Sequence, residues 1–88
     1  MKITYTRQGL KEYTDWETSN PNIVDKIDEL IDDIMKNGFL KGIGKPEKLK
    51  HYKNPVRFSR HIDKSNRLVY CKNGEDLLII SCKGHYEE

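Results

Sequence analysis

Apolar residues between Pro21 and Asn37 fall at Ile23, Val24, Ile27, Leu30, Ile31 and Ile34, the i, i+1, i+4, i+7, i+8, i+11 series of one helical face. Acidic residues fill the other side. Asn20 can cap this helix, Pro21 suits its first turn, and Asn37-Gly38 ends it. Upstream, Leu10, Tyr13 and Trp16 recur every three residues and predict a shorter helix, weakened by Gly9. Before it, Lys2 to Thr6 alternates as a short strand. After Pro46 the period changes to two. Glu47–Tyr52, Val56–Asp63, Arg67–Lys72 and Asp76–Cys82 then read as four strands. The turns fall near Asn54-Pro55, at "DKSN" and at Asn73-Gly74, the last a favoured two-residue hairpin signal. The order is βαα followed by ββββ. This predicts an α+β fold with two N-terminal helices packed on a mostly antiparallel sheet. Leu77–Ile80 is apolar at four successive positions, as expected of a strand covered on both faces.

Eighty-eight residues fit one domain spanning 1–88, with no internal repeat or linker. No apolar run approaches the roughly 20 residues that cross a bilayer, and the N-terminus lacks a signal-peptide core. A cytoplasmic protein without a membrane partner is the expectation. A two-residue turn at Asn73-Gly74 would set Cys71 opposite Asp76 and leave Cys82 too distant for a disulfide. Cys82-x-x-His85 has metal-like spacing but no second ligand pair, so no metal or other cofactor is expected.

Charge changes the picture. The net charge is only +2, but residues 1–37 carry five basic and eight acidic groups. Between Lys41 and Arg67 there are nine Lys/Arg against Glu47 and Asp63 alone. That is the footprint of a surface for a polyanion, most often nucleic acid, although a solvated face can look the same. The glycine-rich "GFLKGIGKPEKLK" lacks the spacing of a phosphate-binding P-loop.

Within the basic half, Glu47 is the one acid among lysines, Arg67 opens "RLVY", and the chain closes on "SCKGHYEE". A carboxylate, an arginine and a histidine are the groups that RNA cleavage without a metal requires. A base takes the 2′-OH proton, a cation holds the phosphate, and an acid protonates the leaving 5′-oxygen. Each residue also has a plain structural reading: charge offset for Glu47, a cross-strand ion pair for Arg67, edge packing for the tail. A binding module that holds RNA without cutting it would use the same basic surface.

Several separated motifs occur together in one order: "GKPEKLK", "SR", "NRLVY" and "CKGHY". With "IVDKIDELIDDI" and "GFLKGIGKPE", they resemble the YoeB/Txe branch of the RelE toxin superfamily, where they read GKPEPLKH, WSRR, EHRLVY and C-x-x-HY. The resemblance implies a RelE-like βααββββ fold and a ribosome-dependent mRNA endonuclease, the toxin of a type II toxin–antitoxin pair, cutting mRNA in the ribosomal A site. It implies mRNA, the ribosome with its 16S and 23S rRNA, and a YefM/Axe-like antitoxin as partners, and it leaves a homodimer open. The matching positions imply catalytic roles for Glu47 as general base, Arg67 as phosphate stabiliser, His85 as general acid and Tyr86 as an ordering tyrosine. They imply RNA contacts for Lys50, Arg60 and, at the second arginine of WSRR, His61, while the basic surplus of the 41–67 stretch adds Lys48 and Lys53. His61 replaces the second arginine of WSRR and Phe58 its tryptophan. "YKNPVRFSR" is one residue longer than the family loop, and Glu87-Glu88 extends past the usual terminal tyrosine. The ParE-type sister toxins share the fold but lack this Glu/Arg/His set.

Overall fold

The computed structural model describes residues 1–84. The elements run β1 (Ile3–Tyr5), α1 (Arg7–Ser19), α2 (Pro21–Asn37), β2 (Glu47–Lys53), β3 (Val56–His61), β4 (Arg67–Asn73) and β5 (Asp76–Ser81). The five strands form one sheet in the order β1-β5-β4-β3-β2. β1 pairs with β5 in parallel and the remaining pairs are antiparallel. Both helices lie on one face, as expected for an α+β fold.

α2 forms as its periodicity predicts. Ile27, Leu30, Ile31 and Ile34 are buried against Leu68, Tyr70, Leu77 and Ile79 of the sheet. Each fully buried aliphatic side chain contributes roughly 1.5–3 kcal/mol over its exposed state. Pro21 opens the helix, but the Asn20 side chain makes no capping bond; its backbone carbonyl accepts from Ile23 N–H instead. α1 is capped by Thr6, whose side-chain oxygen accepts from Gly9 N–H at 3.0 Å and donates to Ile80 C=O at 2.7 Å. Its inward stripe is Gly9, Tyr13 and Trp16, while Leu10 is 51% exposed.

Gly9 thus has a use that outweighs its low helix propensity. A Cβ there would lie 2.6 Å from Ile79 C=O. Only glycine lets this helix cross β5 so closely.

β5 sits inside the sheet, with Leu77 and Ile79 fully buried beneath the helices. Leu78 and Ile80 on the other face are half-buried, so that face is only partly covered. The β4–β5 turn differs from the expected one. Asn73 pairs with Asp76, which makes Gly74-Glu75 the two turn residues. Gly74, at φ +62°, takes the first central position, where a type II′ turn needs glycine. Cys71 therefore faces Leu78, and both cysteines are free and buried.

Candidate nucleic-acid and catalytic face

Cross-strand pairing assigns the polar residues to faces. Glu47 pairs with Ser59, Ser59 with Val69, and His61 with Arg67. Directly paired residues share a face and successive residues alternate. Glu47, Arg57, Ser59, His61 and Arg67 therefore share the face away from the helices. Phe58, Arg60, Leu68 and Tyr70 point toward the helices. Glu47 lies two strands from β4 and Arg67 two residues along it, which sets their Cα atoms roughly 10–12 Å apart.

Arg67 is held at the end of the β3–β4 loop, where its Nη1 donates to Asp63 C=O at 3.0 Å and Asn66 C=O at 3.3 Å. The loop is an Asx turn. Asp63 Oδ1 accepts from the backbone N–H groups of Ser65 and Asn66, both at 2.8 Å. Although partial desolvation opposes it, these bonds, the Asn66 side chain and nearby Arg67 hold the Asp63 carboxyl below its usual range.

The chain beyond β5 is tied down residue by residue. Cys82 N–H donates to Glu12 Oε1 at 2.8 Å, and Trp16 Nε1 donates to Cys82 C=O at 2.9 Å. Lys83 Nζ stands 5.4 Å over the Trp16 ring. Gly84 N–H donates to Asn66 Oδ1 at 2.8 Å, and Gly84 C=O accepts from Arg67 N–H at 3.0 Å. The chain thus passes residue 84 beside the backbone of Arg67. Gly84 has φ +87°, a conformation that suits glycine and turns the chain sharply. His85 and Tyr86 lie outside the described residues. The Cys82 thiol is in the helix–sheet core, 3.8 Å from Gly9 C=O, and burial together with the Glu12 charge pushes its pKa up to about 12. At neutral pH it is a neutral thiol facing away from the open side.

The expected RNA contacts divide. Lys48, Lys50 and Lys53 are exposed on β2, an edge strand whose register slips between Lys48 and Lys53. Lys48 pairs with Phe58, so it alternates with Glu47 and lies exposed on the helix side of the edge strand, next to the open face but not on it. His61 is half-buried on the open face opposite Arg67. Arg60 is a correction. It is 0% exposed and shares the parity of Phe58, which turns it toward the helices and away from any RNA. Its guanidinium meets Asp33, Tyr70 and the loop after α2.

Sequence reading passed over Arg57, Tyr52 and Asn66. Arg57 lies on the open face two residues before Ser59, and its guanidinium carbon is 4.4 Å from the centre of the Tyr52 ring. Parity along β3 was the available signal for Arg57; nothing local marks Asn66. Among the described residues, no group of three or more His, Cys, Asp or Glu side chains could hold a metal ion, and no helix is long and apolar enough to cross a membrane.

Comparison with known proteins places this architecture. Residues 5–86 match the family described as YoeB-like toxin of bacterial type II toxin–antitoxin system. Toxin YoeB of Streptomyces coelicolor is 40% identical over 86 residues, covering 98% of this chain and 100% of the relative. The YoeB dimer from Staphylococcus aureus superposes with a TM-score of 0.89 at 41% identity, covering 98% of each chain. A heterotetrameric YoeB–YefM toxin–antitoxin complex from the same organism gives 0.86 at 41% identity, again over 98% of each chain.

Proposed function

Because this chain belongs to the YoeB-like toxins of bacterial type II toxin–antitoxin systems, we propose that it is a ribosome-dependent mRNA endoribonuclease acting in the ribosomal A site. The observation that carries the reading is the common open face of Glu47 and Arg67, with the C-terminal segment entering beside Arg67. Glu47 removes the proton of the ribose 2′-OH. The oxygen attacks the adjacent phosphorus, and Arg67 neutralises the charge that builds on the non-bridging oxygens. His85 gives its proton to the departing 5′-oxygen, and Tyr86 orders the site. The P–O5′ bond breaks, leaving a 2′,3′-cyclic phosphate and a 5′-hydroxyl. The nucleophile belongs to the RNA, so the chemistry calls for no metal or cofactor.

Lys48, Lys50, Lys53 and His61 supply cations around the phosphate backbone. The protein works where ribosomes translate, in the cytoplasm. A YefM-like antitoxin partner neutralises it by laying an acidic segment against the basic face. Association of two copies is a further partner state, after the dimeric relative.

The test is single-turnover cleavage of mRNA on programmed ribosomes, mapped by primer extension. The expected result is a cut within the A-site codon that a single 2′-deoxy substitution at the scissile nucleotide abolishes. Glu47→Ala and His85→Ala should bind ribosomes normally and cut about 10²- to 10⁴-fold more slowly. Efficient cutting of the deoxy substrate, or full-speed cutting by either variant, overturns the mechanism. RNA protected without being cut points to a binding module.

A further inference from the structure

We infer that Arg60, with Asp33 and Tyr70, forms a buried tie that positions the Glu47 carboxylate by closing the loop that delivers it to the open face. This rests on the reading of Glu47 as general base and assigns positioning residues that never touch RNA.

All five N–H donors of the Arg60 guanidinium find acceptors. Nε donates to Tyr70 Oη at 3.0 Å. Nη1 donates to the Asp33 carboxylate and to Ile43 C=O, the latter at 3.0 Å. Nη2 donates to Gly38 C=O and Lys41 C=O, both at 2.8 Å. Three of these acceptors are main-chain carbonyls of one loop, and that loop runs from the end of α2 to Glu47.

The same loop is gripped from its other groups. Ile43 N–H donates to Asp33 Oδ2 at 3.0 Å, and Gly44 C=O accepts from His61 N–H at 2.7 Å. Tyr70 Oη also donates to Phe39 C=O at 2.7 Å. At Gly42 a Cβ would collide with the Asp33 carboxylate, and at Gly44 it would stand 2.8 Å from Leu30 and 3.2 Å from the Cβ of Arg60. The glycines in "GIGKPE" therefore serve to wrap the chain around the pair of buried Arg60 and half-buried Asp33. Only Lys45 and Pro46 separate this anchored loop from Glu47.

The chemistry explains why the residue is arginine. Lysine offers three donors from one point and cannot reach acceptors spread around a plane. A side chain bonded to three carbonyls of one loop restricts where the loop can end. A general base must sit within hydrogen-bond reach of its proton, and a misplacement of about 1 Å can cost on the order of 10²-fold in rate.

The test uses Tyr70→Phe, which removes one hydroxyl bridging Arg60 and Phe39 while keeping the ring against Phe39 and Phe58. Asp33→Asn serves as a second variant, should the first fail to fold. Each is measured in single-turnover cleavage on programmed ribosomes, alone and combined with Glu47→Ala. The expected result is a rate lower by tenfold or more, up to about 10²-fold, with unchanged affinity for ribosomes. In the Glu47→Ala background the second substitution should cost nothing further, because no base remains to be placed. Wild-type rates in both variants, or a cost that persists without Glu47, overturn the positioning role. If Glu47→Ala itself cuts at full speed, the base assignment fails instead, whatever the other variants do.

Discussion

The side-chain carbonyl of Asn66 accepts the backbone N–H of Gly84 at 2.8 Å, binding the last described residue of the chain to the loop that positions Arg67. The Asn66 amide nitrogen meanwhile donates to both oxygens of Asp63, at 3.1 and 3.2 Å. One asparagine thus couples the turn, the arginine and the start of the C-terminal segment. Asn66→Ala should slow cleavage on programmed ribosomes by about tenfold, the loss expected when a general acid is loosened but not removed. Ribosome affinity should stay unchanged. The expectation includes a specific rescue. An mRNA with sulfur in place of the scissile 5′-oxygen has a leaving group that needs no proton, so Asn66→Ala should cut it as fast as wild type. A defect that persists on this substrate would contradict a role through the general acid.

The contact of Gly9 with Ile79 predicts a stability effect of opposite sign to helix propensity. Alanine is the better helix former by about 1 kcal/mol. Here its Cβ meets a backbone oxygen at 2.6 Å, so α1 must move off the sheet. Gly9→Ala should destabilise the protein by about 1–3 kcal/mol, the usual range for overpacking. Urea unfolding with an unchanged m-value checks it, and a more stable variant would refute the close crossing.

Acid stability should report the Asp33–Arg60 pair. The hydrogen bond from Arg60 chiefly, with those from Ile43 and Asn37, holds the Asp33 carboxyl below its usual value of 3.8 against the opposing effect of desolvation. A carboxyl with a depressed folded-state pKa stabilises the fold above its unfolded pKa. That contribution is lost as the pH falls through the folded value. Stability should therefore decline below about pH 4, and Asp33→Asn should flatten that part of the curve. Chemical denaturation at a series of pH values measures it. An identical acid slope in the variant would remove Asp33 from the account.

Ribosome binding should weaken steeply with salt, because cations that neutralise phosphates release condensed counterions. Nine Lys/Arg lie between Lys41 and Arg67, but Arg60 is buried and paired, so eight remain to contribute. Lys48→Glu with Lys53→Glu should lower affinity and reduce the salt slope while leaving the fold and Tm nearly unchanged, since both side chains are exposed at the sheet edge. A flat salt response would place the binding surface elsewhere.

The order of elements was legible in the sequence because helix and strand periods are local properties. Ile23 to Ile34 can line one face only at 3.6 residues per turn, and the strands after Pro46 show period two. The candidate chemistry of Glu47 and Arg67 was legible from residue type and from the family resemblance. The Asn73-Gly74 signal located the last hairpin but missed its centre by one residue. From Asn73 back to Tyr70 that slip moves each cross-strand partner by two and so keeps those side chains on their faces; beyond Tyr70 an irregularity in the pairing sets Val69 opposite Ser81. Tertiary structure decided the rest. The family resemblance suggested that Arg60 meets RNA, yet strand parity and the acceptors gathered from α2, β4 and the 38–43 loop bury it, a convergence no local window contains. Gly9 looked like a flaw until β5 came to lie across it, 70 residues along the chain. Asn66 gained its part only when the segment after β5 returned to the β3–β4 loop. Periodicity is set by neighbours in sequence, whereas the satisfaction of a buried guanidinium and the clearance over a glycine are set by neighbours in space.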